Sequence, residues 1–331
     1  MTTPSLLRNL VLAASCFAPM AQAENPFLGR WALTIPGGGA GWLGVEEKSG
    51  QLTSSILWGG GSVVPTTKTQ VDGSKLIVTR ESNDKKKTPE GKEITETTTE
   101  TITAEVNGDA LRLGTVKNKP GAKPFEQAEF AGQRIAPIPP APDLAKLKFG
   151  DPIPLLQKSS LVGWRLINPK DANGWSIKDG VLQNRVTKEK GKHYGNLRTD
   201  AEFEDFNLTM EVRTMAGSNS GIYLRGIYEV QVMESFGKPR DSHHMGALYS
   251  RITPSVAAEK PPGEWQTLDI TLAYRHLTVI LNGKTIIDNQ PVQGCTGGAL
   301  TSDETKPGPL YLQGDHTDAD YRNIILRPIM K

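Results

Sequence analysis

From Arg30 to Arg134 the chain alternates apolar and polar residues in short runs: RWALTI, GWLGVEEK, LTSSILWG, KTQV, KLIVTRE, EITETTTETITAEV, ALRLGT and AEFAGQRI. Alternation with period two puts one face of each segment toward a core and the other toward water, so these runs predict strands. Thr, Val, Ile and Trp enrich them, as expected on a pleated, half-buried surface. DGS at 72–74 and NGD at 107–109 supply hairpin turns. The expected unit is a small antiparallel β-barrel or meander. GGGAG at 37–41 lacks the lysine and the strand–helix setting of a phosphate loop and reads as a flexible turn.

APIPPAP at 136–142 is a semi-rigid proline linker, and PDLAKLKFG after it predicts a helical turn. The strand pattern then resumes. WSIKDGVLQN is strand–turn–strand around Asp179-Gly180, and FNLTMEVRTM places Phe206, Leu208, Met210 and Val212 on one face. GIYLRGIYEVQVME gives two strands around Gly226. EWQTLDITLAYRHLTVILNGKTIIDN gives three, with Asn282-Gly283 as a type I′ hairpin signal. Helical periodicity is scarcely seen. The expected fold class is all-β: a jelly-roll or concanavalin-like sandwich over 151–331, a small β domain over 24–135, and a linker over 136–150.

The 331 residues carry a net charge of +2, which gives no basic footprint for nucleic acid. Lys85, Lys86 and Lys87 form the one conspicuous basic run and read as a solvated hairpin tip. At the N-terminus Arg8, the apolar LVLAAS stretch and Ala21-Gln22-Ala23 form an export signal over 1–23, so the expected location is periplasmic or extracellular. No stretch is long enough to span a bilayer. Cys16 raises a lipoprotein alternative, but Ala13-Ala14-Ser15 is a poor lipidation box. Cys295 is then the one thiol of the mature chain, and in GCTGG it reads as packed and inert.

Several phrases occur in one order: YGNLRTDAEFEDFNL (194–208), NSGIYLRGIYEVQVMES (219–235), GALYSRITP (246–254), PPGEWQTLDITL (261–272), LTVILNGKTIIDN (277–289) and GPLYLQGDHTDADYRNIILRPI (308–329). Together they resemble the 3-keto-disaccharide hydrolase domain family. The resemblance implies a concanavalin A-like sandwich and exported enzymes acting on glycosides oxidised to a ketone at C3. EVQVME is also similar to the E-x-D-x-x-E strand of family 16 glucanases, whose outer glutamates are nucleophile and acid/base. Here those positions are Glu229 and Glu234, with Gln231 at the middle acid. Residues five apart lie on opposite faces of a regular strand, so Glu234 joins Glu229 only through a β-bulge near Met233. An amide at 231 also cannot tune Glu229 by charge repulsion.

A 3-keto sugar opens an easier route than an oxocarbenium ion: proton removal from C2, β-elimination of the C1 leaving group, then hydration. That route asks for a base, donors to the enediolate oxygen, and an acid for the leaving oxygen. Glu229 is the first candidate and His316 in LQGDHTD the second. Asp315 is placed to orient His316 and Gln313 flanks it. Arg225 is a candidate for the enediolate or a sugar hydroxyl, unless it simply pairs with Glu229. Gln231 suits vicinal hydroxyls, and His193 and Tyr194 come from a turn able to line the same cleft. Tyr228, Trp265 and Tyr311 read as core.

The expected partner is a carbohydrate, with no cofactor, since no nucleotide or flavin fingerprint is present. The adjacent His243-His244 does not suit metal chelation on a strand. A structural calcium held by Asp303, Glu304, Asp315, Asp318 and Asp320 is a minor option. Two competing readings stand beside the 3-keto route: a non-catalytic lectin-like module and a family 16-like retaining glucanase.

Overall fold

The structure, a computed structural model, describes residues 25–330 apart from 36–38, 59, 90, 119–124, 158 and 188. The export signal, Cys16 and part of the GGGAG turn lie outside the described residues. Gly39–Gly41 open a strand, Gly39–Lys48.

The first nine strands form one antiparallel sheet. Its two ends meet. Val64–Pro65 pairs with the Gln51–Trp58 strand, and Lys68–Asp72, two residues later, pairs with Lys75–Lys87. Ser54 Oγ hydrogen-bonds the Oγ1 atoms of Thr66 at 2.8 Å and Thr69 at 2.6 Å, tying both ends of that kinked segment to one strand. The sheet therefore curls into a barrel whose two ends adjoin at this segment. Inside it are Trp31, Leu33, Leu43, Ile56, Leu76, Val78, Ile102 and Leu113, all buried. The long threonine-rich run is a single strand, Glu93–Asn107, whose Ile102 and Ala104 face the core. Lys85–Lys87 are the last ladder positions of their strand, opposite Thr95–Glu93 at the mouth of a hairpin.

The later strands build two sheets. One has a path of seven: Trp175–Lys178, Val181–Asn184, Ala319–Met330, Phe206–Arg213, Trp265–Ala273, His276–Leu281 and Lys284–Pro291. The short Lys148–Phe149 and Ile153–Pro154 strands also pair with Ala319–Met330. The other sheet has five strands in the order Trp164–Leu166, Leu197–Phe203, Gly308–Leu312, Asn219–Leu224, Tyr228–Met233. All named pairings are antiparallel, and side chains of both sheets share one core, so the architecture is the expected all-β sandwich. Phe206, Leu208, Met210 and Val212 are all buried, each contributing on the order of 1.5–3 kcal/mol. The hairpin signals act as read: Asp179-Gly180 and Asn282-Gly283 each place two successive residues at positive φ, as a type I′ turn requires. The helical turn after the linker is a 3-10 turn, Leu144–Lys146. Among the described residues no helix is long and apolar enough to cross a membrane.

Barrel and sandwich are not separate in their packing. Ala40, Trp42, Leu57 and Ile135 belong to the sandwich core. Glu304, fully buried, receives Arg30 at 3.4 Å from the barrel and Arg275 at 3.3 Å from the sandwich.

Candidate active site

The five-stranded sheet sends alternate residues away from the core. Tyr228, Val230 and Val232 enter the core, so Glu229 and Gln231 point the other way. On the neighbouring strand Ile222 and Leu224 are core, leaving Asn219, Gly221 and Tyr223 on the same outer face; next to that, Leu310 and Leu312 leave Tyr311 and Gln313 there. These residues form the floor of a cavity of about 300 Å³, whose rim includes Asn196, Tyr249, Asp315, His316, Gly297 and Gly298.

Glu229 is only 3% exposed. Its backbone is fixed on both sides: its amide donates to Thr296 Oγ1 at 2.9 Å, and its carbonyl accepts from Tyr249 N at 3.0 Å. Its side chain lies across Gly221, where a Cβ would overlap Oε1 and stand 2.9 Å from Cγ and Cδ. Burial pushes its carboxyl up to about 8, although the neighbouring Tyr223 hydroxyl and the nearby His316 pull the other way. Tyr223 stacks on Tyr311 with ring centroids 3.8 Å apart, and their hydroxyls donate to Gly297 O at 2.7 Å and Gly298 O at 2.9 Å.

His316 shares the cavity. Its Nδ1 is hydrogen-bonded to Asp315 Oδ1 at 2.7 Å, which orients the ring and leaves Nε2 for a ligand. That bond and the charges of Asp315 and Glu229 hold its pKa above the ordinary histidine value, against the effect of burial. Gln231 Nε2 donates to Asn219 Oδ1 at 3.2 Å and to His243 O at 3.1 Å, while its Oε1 is buried without a partner. Gln313 Oε1 is in the same condition. Asn196 Oδ1 accepts from Gly314 N at 2.7 Å. With both Oδ1 atoms engaged, the side-chain NH₂ groups of Asn196 and Asn219 are the donors that these two residues offer to the cleft they line.

Of the residues expected at the site, the structure brings together Glu229, His316, Gln231, Gln313 and Asp315. Four others lie elsewhere. Arg225 sits in the hairpin turn at φ 55 and is buried, with its guanidinium on the carbonyls of Glu304 and Lys306; it neither enters the cleft nor pairs with Glu229. Glu234 stays out because the expected bulge is absent: the register runs unbroken from Asn219↔Met233 to Leu224↔Tyr228. Glu234 instead meets Lys238 Nζ at 3.4 Å, beyond the strand end. Tyr194 hydroxyl bonds Thr187 Oγ1 at 2.8 Å, and exposed His193 accepts from Ala172 N at 2.8 Å; neither lines the cavity.

The calcium option fails on chemistry, since its acids are committed apart. Asp320 takes Arg185 at 2.6 Å and Arg213 at 2.7 Å, Glu304 takes two arginines, Asp318 accepts from Val186 N, and Asp303 holds Lys306 and Thr305. Among the described residues no three His, Cys, Asp or Glu converge as a metal site. His243 is tied to Asp241 through Nδ1 at 2.6 Å. Trp265 is not core: it lies between Arg213, 4.7 Å from the ring centroid, and Arg322, 4.0 Å away. Tyr311 has a buried ring but also forms part of the cavity wall. Cys295 is buried, and its thiol is pushed up to about 12 by that burial, in keeping with an inert role.

The sequence reading missed Tyr223, Asn219, Asn196, Tyr249 and the Gly297-Gly298 loop. From the sequence the first domain is open to three roles, extending the cleft, binding another polymer or partner, or only stabilising its neighbour; its Gly60 and Gly61 line the cavity. The alternation of NSGIYL carried a signal for Asn219 and Tyr223: both fall in phase on the face opposite Ile222 and Leu224.

Fold and site define a β-sandwich protein with a desolvated carboxyl and an imidazole in one polar cleft. Residues 151–327 match the 3-keto-alpha-glucoside-1,2-lyase-like domain, and the chain belongs to that family. Among solved structures, a proposed glycosyl hydrolase from Parabacteroides distasonis is 28% identical, with a TM-score of 0.45 over 59% of this chain and 94% of its own. A second from the same organism is 26% identical, with a TM-score of 0.42 over 54% of this chain and 100% of its own. A β-glucanase from Bacillus licheniformis is 8% identical, with a TM-score of 0.33 over 54% of this chain and 98% of its own. Comparison with curated proteins gave no match.

Proposed function

We propose that the sandwich cleaves the glycosidic bond of a 3-keto-glycoside by elimination across C1 and C2 followed by hydration. The observation that supports this most is a single desolvated carboxyl, Glu229, in one cleft with an Asp-oriented imidazole and with no second carboxylate beside it on the strand. A retaining glycosidase needs two carboxyl groups across the scissile bond; Glu234 is not available for that, and Asp315, the other carboxylate of the cleft, is engaged by His316 Nδ1.

In this reading Glu229 takes the C2 proton, made acidic by the C3 ketone. The C2–H electrons form the enediolate, whose oxygen receives hydrogen bonds from the Asn196 and Asn219 amides. Collapse of the enediolate breaks the bond from C1 to the leaving oxygen, and His316 Nε2 gives that oxygen its proton. The products are a 1,2-unsaturated 3-keto sugar and an alcohol. Water then adds hydroxyl to C1 and a proton to C2, so the net change is hydrolysis. The unpartnered Gln231 Oε1 and Gln313 Oε1 accept from sugar hydroxyls, which repairs two buried acceptors on binding.

Incubation with a 3-keto-disaccharide and with the unoxidised disaccharide tests the reading. Turnover of the keto sugar alone is expected. Turnover of the plain sugar alone contradicts it, and binding without turnover of either assigns the cleft to a carbohydrate-binding module.

A further inference from the structure

The family match begins at residue 151, yet one wall of the cleft is formed by Gly60 and Gly61 of the barrel, held in place through the next two residues. Its position is fixed by direct contacts. Ser62 Oγ is hydrogen-bonded to His243 Nε2 at 2.8 Å, and Val63 N donates to Ser250 Oγ at 2.8 Å. Gly61 presses on Gly297 so closely that a Cβ on Gly297 would overlap the Gly61 carbonyl and stand 2.8 Å from its amide nitrogen. Trp42 of the barrel packs on Gly294 of the same loop, beneath the Arg251 guanidinium at 4.5 Å.

The strand register says which end of the cleft this wall closes. Tyr223 is opposite Glu229, and its hydroxyl marks the Gly297 end. Asp315 and His316 follow Gln313, past the other end of the Gly308–Leu312 strand. Glu229 leans over Gly221, between the two ends. A pyranose with C2 over Glu229 and its C1 oxygen at His316 therefore turns C4, across the ring from C1, toward Gly60 and Gly61.

We infer that the barrel closes the C4 end of the sugar site, so that the protein takes a terminal 3-keto sugar and rejects one extended through O4. The orientation rests on the elimination reading above. The test uses full-length Glu229→Gln protein and calorimetric titration with methyl 3-keto-glucopyranoside and its 4-O-glucosyl derivative. The extended ligand is expected to bind at least about tenfold more weakly. Gly60 is outside the left-handed region and an added Cβ meets nothing within 4 Å, so Gly60→Phe in the same background puts bulk into the opening. It is expected to weaken the methyl glycoside by about tenfold with Tm unchanged.

Equal affinity for the two ligands overturns the inference, as does Gly60→Phe with unaltered binding. Wild-type turnover judges the elimination reading separately. Equal binding with turnover removes only the role of the barrel. A tenfold preference without turnover removes only the elimination and leaves an end-closed binding site. No binding of either ligand overturns both.

Discussion

Gly221 and Glu229 occupy one space: the glutamate side chain lies where a Cβ on residue 221 would be, with Cγ and Cδ 2.9 Å from that point. Gly221 has an ordinary strand conformation, so alanine there suits the backbone and conflicts only with the carboxyl. Gly221→Ala is expected to displace Glu229 and to lower kcat/KM on a 3-keto-glycoside about 10²-fold. Glu229→Asp in the same chain, one methylene shorter, recovers part of that loss. Unaltered kcat/KM in Gly221→Ala contradicts the placement.

Activity should follow pH as a bell. The base form of Glu229 is the carboxylate, and burial raises its pKa, so kcat/KM rises with pH on the acid side of the bell. It falls again as His316 loses the proton it donates. Asp315→Asn removes the charge that holds the His316 pKa high, so the alkaline limb moves to lower pH. A pH–rate series on the two proteins checks this, and an unmoved alkaline limb contradicts the pairing.

The same carboxyl destabilises the fold in alkali. Its folded pKa of about 8 stands above the ordinary 4.5, so its contribution is fully present below about pH 4.5 and is lost as pH rises through 8. Glu229→Gln is therefore expected to be more stable than wild type at about pH 9, on the order of 3–5 kcal/mol, and nearly equal to it at about pH 4. Denaturant unfolding at both pH values measures the difference. Equal stability at high pH means that the carboxylate is not desolvated.

Gln231 tests why an amide stands beside the base. Gln231→Glu places a second carboxylate on the same face two residues away, which disfavours ionisation of Glu229 further. The acid limb should move to higher pH, and kcat/KM at pH 7 should fall about tenfold. A gain in activity on unoxidised glycosides instead favours a classical two-carboxylate mechanism.

Much of the fold was legible because period-two alternation and turn chemistry act locally. FNLTMEVR became a strand with the expected buried face, and Asn282-Gly283 became the expected turn. Barrel closure was not legible, because it depends on a kink between Pro65 and Lys68 that joins strands distant in sequence. At the site, Glu229, Gln231, Gln313, Asp315 and His316 were legible from face and chemistry. Arg225 was misplaced because a positive charge beside an acid resembles a site, whereas its turn conformation sends it to backbone carbonyls. Glu234 was misplaced because a spacing shared with glucanases was given a bulge that this strand lacks. Gly60 and Gly61 carry no side-chain signal at all; only the docking of barrel on sandwich brings them to the cleft.

In the proposed reaction cleavage begins at C2. Incubating the protein with a 3-keto-glycoside deuterated at C2, and following the label in the released sugar by NMR, tests it most directly. A primary isotope effect on kcat/KM and loss of deuterium to solvent are expected, with both abolished in Glu229→Gln. Cleavage with the deuterium fully retained at C2 and no isotope effect would contradict it.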